Sequence, residues 1–165
     1  KFECNDNFLN KTWEQSSYTT EVLCEDGYVD SAERSEWIGD AAMVQYPVGR
    51  MVISGPADGN DSIIYSDPRL LRNMLIHIAQ SQLEDGRLKA HHPSDRYDHH
   101  WFIEDYSCLW IQALRQYYEN TADIGLVKEL WPVLQKQIDW FLKKKNYCGI
   151  FFSFGHSHHD YGYRL

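Results

Sequence analysis

Apolar residues recur at helical spacing along most of this chain, and polar, turn-forming residues gather between the stretches. Asp6 stands where a helix cap belongs, ahead of a stripe of Phe8, Leu9, Trp13, Val22 and Leu23 that Glu25-Asp-Gly27 brings to an end. A second helix is predicted from Asp40, as its N-cap, through Ala41-Ala-Met-Val-Gln-Tyr46 to about Ile53, weakened by Pro47 and Gly49. Gly55 to Asp67 reads as a turn-rich connection. Pro68 then opens a third helix with Leu71, Met74, Leu75, Ile78 and Leu83 on one face, stopped by Glu84-Asp-Gly86. After a loop from Arg87 to about Phe102, a fourth helix aligns Ile103, Tyr106, Trp110, Ala113, Leu114 and Tyr117 and ends near Asn120. The fifth runs from Ile124 to Lys145 on Leu126, Leu130, Leu134, Ile138, Phe141 and Leu142, with Pro132 expected to split it. Gly149-Ile-Phe-Phe-Ser-Phe154 predicts a short strand or hairpin arm. The expected architecture is all-α: hairpins of helices, with the polar, functional residues in the loops at one end.

Composition narrows what such a scaffold does. The chain has 165 residues, enough for one buried core, and carries six Trp and eleven Tyr, which excludes a disordered chain and suits flat apolar ligand surfaces. A formal net charge of −8 and the lack of any basic patch argue against nucleic acid, whose phosphates demand cations. The same charge disfavours a polyuronic acid and favours a neutral sugar. No apolar run approaches the ~20 residues of a membrane span. No signal peptide opens the sequence, so the compartment stays open, with an extracellular or periplasmic setting compatible. Cys4, Cys24, Cys108 and Cys148 have neither CxxC nor zinc spacing and are expected to be mostly free thiols, a Cys4–Cys24 bridge being the one alternative.

Between the first two helices, Glu33 to Asp40 gathers three acids, Arg34 and Trp37. An acid to protonate a leaving oxygen, a cation to hold acids in place and an aromatic plate for a pyranose ring are what sugar chemistry requires. The same residues also fit a solvated, salt-bridged surface cluster, with Trp37 as a core residue and Asp40 as a helix cap. The histidines cluster at His91-His92, His99-His100 and His156, His158 and His159 beside Asp160. Adjacent side chains diverge, and no helical i,i+4 pair converges, so no metal site and no cofactor is expected. His100, His159 and Asp160 are instead candidate loop contacts to sugar hydroxyls.

These segments resemble a known family. Phe2-Glu-Cys-Asn-Asp-Asn-Phe-Leu-Asn-Lys-Thr-Trp13, Glu33-Arg34 and Trp37-Ile-Gly-Asp-Ala41 are similar to the start of the catalytic domain of bacterial α-L-rhamnosidases, glycoside hydrolase family 78. Leu83-Glu-Asp-Gly86, Asp105-Tyr-Ser-Cys-Leu-Trp-Ile-Gln-Ala-Leu114, Tyr117 to Asp123, Leu130-Trp-Pro132 and Ile138 to Leu142 follow in the family's order. The resemblance implies an (α/α)6 toroid of six hairpins with the active site in its mouth, and an inverting hydrolysis. It places Glu33 as general acid, Arg34, Trp37 and Asp40 as pocket residues, and Asp105 with Trp101 as further sugar contacts. Two departures accompany it. Ala32 stands where the family usually has Asp before the catalytic Glu, so Asp30 or Asp26 must stand in for missing acids. And a closed ring of twelve helices needs about 190 residues, so this length is expected to be a single segment, residues 1–165, forming the first half of a catalytic domain. The general base is expected in the remaining half.

Inversion requires two carboxyls ~6.5–9.5 Å apart with water between. Acids beside Glu33 would raise its pKa, and Arg34 would oppose them. The expected activity is removal of terminal α-L-rhamnosyl residues from a carbohydrate substrate. Another (α/α)6 glycosidase or uronic-acid hydrolase, or a non-catalytic carbohydrate-binding helical module, stays open on these residues.

Overall fold

The computed structural model describes residues 2–29, 34–47, 68–93 and 102–144, and among these the chain forms helices joined by loops, with no named strand. Helix α1 spans Asn7–Val22, capped as expected by the Asp6 carboxylate, which accepts the N–H groups of Phe8 and Leu9. Helix α2 begins at Ile38–Asp40 and continues into a π-helical turn, Ala41–Gln45. Helix α3 is Pro68–Gln80, α4 is Glu104–Thr121 and α5 is Ile124–Lys144.

Helix α4 is the centre of the packing. It lies against α2, α3 and α5, and α3 also meets α5. Its inward residues Tyr106, Trp110, Ala113, Leu114 and Tyr117 interlock with Leu71, Met74, Leu75 and Ile78 of α3 and with Leu126, Leu130 and Leu134 of α5. Two polar side chains caught in this core are anchored to backbone carbonyls. The Trp110 indole donates to the Leu75 carbonyl at 3.1 Å, and the Ser107 hydroxyl to the Leu88 carbonyl at 2.9 Å. Gln82 donates to the carbonyls of Gly86 and Val133, tying the turn after α3 to α5. Gly86 is required there, because its φ is +105° and a Cβ would lie 2.4 Å from the Lys136 carbonyl oxygen. The α4–α5 link is short. Ala122, at φ +55°, ends α4, and the Asp123 carboxylate accepts the Leu126 N–H at 3.0 Å to start α5.

Several expectations are corrected. Asp40 is not an N-cap: the helix starts two residues earlier, where the Ile38 N–H is anchored to the Ala90 carbonyl at 3.2 Å, and the Asp40 side chain makes no capping bond. Pro132 does not split α5, which runs unbroken through it. Pro132 and Lys128 both face outward, so water can serve the carbonyl that the proline leaves unbonded. Along α5 the buried face turns to Gln137 and Trp140, leaving Ile138 and Leu142 exposed. Gln137 is drawn inward by its bond to the Ser107 carbonyl. The third helix ends at Gln80 rather than at Leu83, and the α1 stripe is not buried. Cys4, Cys24 and Cys108 are free thiols. No described helix is long and apolar enough to cross a membrane. The expected strand at Gly149–Phe154 and the end of the second helix beyond Pro47 lie outside the described residues.

Candidate functional site

The segment from Arg34 to Asp40 leaves the turn after α1 and enters α2, and it carries most of the described candidates. Arg34 adopts a left-handed φ of +60°, uncommon for a side chain of this size, and turns outward to pair with Glu25 at 2.8 Å. Glu36 turns the other way. It is 4% exposed, and its carboxylate meets His77 Nδ1 at 2.9 Å. Burial pushes the Glu36 carboxyl above its ordinary value of 4.5, and the His77 hydrogen bond and charge pull it back. Gly27 leaves the space this carboxylate occupies, since a Cβ there would lie 2.6 Å from Glu36 Oε1.

Trp37 is half-buried within a set of rings. The His91 imidazole lies against it with centroids 4.3 Å apart, and the edge of Tyr106 meets it at 5.9 Å. An isolated antiparallel bridge between Trp37 and His91 fixes the backbones as well. Asp40, one turn further on, accepts a hydrogen bond from the Tyr106 hydroxyl at 2.9 Å. Gly39 makes this possible, because a Cβ would press into the Tyr106 ring at 2.5 Å. The result is an aromatic plate beside a carboxylate whose orientation is set by a phenol. One oxygen of Asp40 is engaged by Tyr106, and among the described residues no hydrogen bond is made by the other.

The structure therefore brings Trp37 and Asp40 together around Tyr106. Arg34 lies on the same segment but faces Glu25. Asp105 is exposed in the first turn of α4, where its carboxylate accepts the Tyr106 N–H at 3.2 Å. Asp30, Glu33, His100, Trp101, His159 and Asp160 lie outside the described residues. No group of three metal-ligating side chains occurs among the described residues. A groove of 510 Å³ on the outer face of α4, lined by Cys108, Ile111, Gln112 and Arg115, shares no residue with this cluster.

Sequence reasoning missed Tyr106, His91 and the Glu36–His77 pair as parts of the site. Tyr106 reads as one more apolar position of α4, and Glu36 as one more surface acid. The available signal for Tyr106 was Gly39, a helix-breaking residue inside Trp37-Ile-Gly-Asp40 that makes sense only if something bulky approaches.

A family model described as the bacterial alpha-L-rhamnosidase 6 hairpin glycosidase domain matches residues 1–162. Among solved structures, the chain is similar to the GH78 family rhamnosidase of Bacillus sp. GL1, with a TM-score of 0.72 and 25% identity over 95% of this chain and 15% of that one. It is also similar to a rhamnosidase from Klebsiella oxytoca with rhamnose bound, with a TM-score of 0.67 and 20% identity over 90% of this chain and 27% of that one. No curated protein sequence matches.

Proposed function

Because the chain belongs to the bacterial α-L-rhamnosidase six-hairpin glycosidase domain family, we propose that it forms the first part of the catalytic domain of an inverting α-L-rhamnosidase. The family match over residues 1–162 carries this reading. The geometry supports it with a half-buried tryptophan and a phenol-oriented carboxylate on one short segment.

In this reading the face of Trp37 takes the apolar side of the sugar ring, where axial C–H groups meet the negative face of the indole. Asp40 accepts hydroxyl hydrogen bonds, strong because the acceptor is charged and cannot rotate away from Tyr106. Asp105, Trp101 and Asp30 are the further sugar contacts this reading assigns, and His100, His159 and Asp160 are its candidate loop contacts. Arg34 holds its neighbouring acids in place, as its ion pair with Glu25 illustrates. Glu33 gives its proton to the glycosidic oxygen as the bond to the anomeric carbon breaks. Water attacks that carbon from the opposite face, and a second carboxylate takes the water's proton. That base is expected from the rest of the catalytic domain, so these residues alone are expected to be a poor enzyme or none. The chain spans 15% and 27% of the two rhamnosidases it resembles, which leaves ample chain for such a base.

The test is Glu33→Gln in the full-length protein, on an α-L-rhamnoside with a poor leaving group. Turnover is expected to fall at least about a hundredfold, the usual worth of a general acid. Turnover near the wild-type rate removes Glu33 from the mechanism.

A further inference from the structure

Trp37 is held from both sides. On its C-terminal side, Ile38 is tied to Ala90 and the Trp37 ring to His91. On its N-terminal side the next residue is Glu36, whose buried carboxylate reaches His77 in the last turn of α3. A buried carboxylate is tolerated only where it is paired and hydrogen-bonded. Gly27 closes over the other carboxylate oxygen, so the position of Glu36 is fixed from two directions.

We propose that the Glu36–His77 pair positions the sugar-binding segment, so that sugar affinity depends on this contact staying intact, although neither residue touches the sugar. This rests on the reading of Trp37 and Asp40 as sugar-holding residues given above. Among the described residues, the groups facing the Glu36 carboxylate are Glu25 and Asp26 from the turn after α1 and His77 from α3; Arg34, on its own segment, is engaged by Glu25. The two acids and burial favour the protonated carboxyl, and His77 alone among these favours the carboxylate. Protonating Glu36 removes the carboxylate's charge from its contact with His77 and loosens the N-terminal anchor of Trp37. The sign follows. A carboxyl raised above 4.5 is ionised only as pH climbs past its raised value, so sugar affinity weakens on acidification earlier than for an exposed glutamate. Replacing His77 by an uncharged donor pushes that weakening to still higher pH.

The experiment compares the full-length protein with its His77→Gln, His77→Ala and Glu36→Gln forms. It measures kcat and KM on an aryl α-L-rhamnoside and equilibrium binding of L-rhamnose, from about pH 4.5 to about pH 8. His77→Ala is expected to raise KM and the rhamnose Kd about tenfold, the scale of a displaced positioning group, while kcat changes less than about threefold. His77→Gln, which keeps an N–H for the carboxylate, is expected to bind normally at the alkaline end and to lose affinity at higher pH than wild type. Glu36→Gln is expected to lose this acid-dependent step. If His77→Ala and His77→Gln lower Tm but leave KM, Kd and the pH at which affinity falls unchanged, the pair is only structural and the inference is overturned. If His77→Ala does not fold, an unshifted pH dependence in His77→Gln overturns it alone. A wild-type protein inert to both rhamnose and rhamnoside removes the reading beneath it, an outcome distinct from an active wild type with unresponsive variants.

Discussion

Helices α1 and α3 both carry apolar residues at helical positions, sparse on α1 and dense on α3, and meet opposite fates. On α3, Leu71, Met74, Leu75 and Ile78 are fully buried against α4. On α1 no residue is buried, and Phe8 is 75% exposed, with Leu9 and Val22 about half exposed. Periodicity reports a face that gains from being covered; whether it is covered depends on which elements lie nearby. For α3 the cover is supplied by α4 and α5. The stability of these residues should therefore sit almost wholly in the α3–α4–α5 cluster and the segment docked on it.

The largest expected effect is at the centre of that cluster. Trp110→Ala removes a fully buried indole and its bond to the Leu75 carbonyl, and is expected to cost about 3–5 kcal/mol in chemical denaturation. A cost under about 1 kcal/mol would show that α4 is not the centre of the packing. Next comes Gly39→Ala, which forces a methyl into the Tyr106 ring. It is expected to cost about 1–3 kcal/mol and to weaken sugar binding together with stability, because Tyr106 also orients Asp40. Unaltered rhamnose affinity would separate Tyr106 from the site. The smallest effect is on α1. Phe8→Ser is expected to shift stability by less than about 0.5 kcal/mol, as for other exposed positions. A larger loss would mean that the α1 face is covered in the protein and would break the contrast.

What the sequence revealed follows the same division. Helices α3, α4 and α5 were legible because one face of each is buried in a contiguous core, so the 3.6-residue period survives intact. On α5 the row Leu126, Leu130, Leu134, Ile138 and Leu142 steps by four and so drifts around a 3.6-residue helix, which leaves Ile138 and Leu142 exposed while Gln137 and Trp140 keep the buried face. Trp37 and Asp40 stood out as residue types gathered in a short loop. Their partners did not, because the Asp40–Tyr106 and Glu36–His77 contacts cross 66 and 41 residues of sequence, and local patterns carry no record of such pairings. The misreading of Asp40 as a cap has the same origin. Ala90 fixes the start of α2 from a distant loop, and the aspartate is left for Tyr106.

The central claim is that Trp37 and Asp40 form the face that holds rhamnose. Saturation-transfer NMR of L-rhamnose, run on the full-length protein and on its Trp37→Ala form, tests it most directly. The account predicts clear transfer from the wild-type protein, abolished or at least about tenfold weaker in affinity once the indole is gone, as expected when a stacking plate is lost. Undiminished rhamnose binding by Trp37→Ala would contradict it.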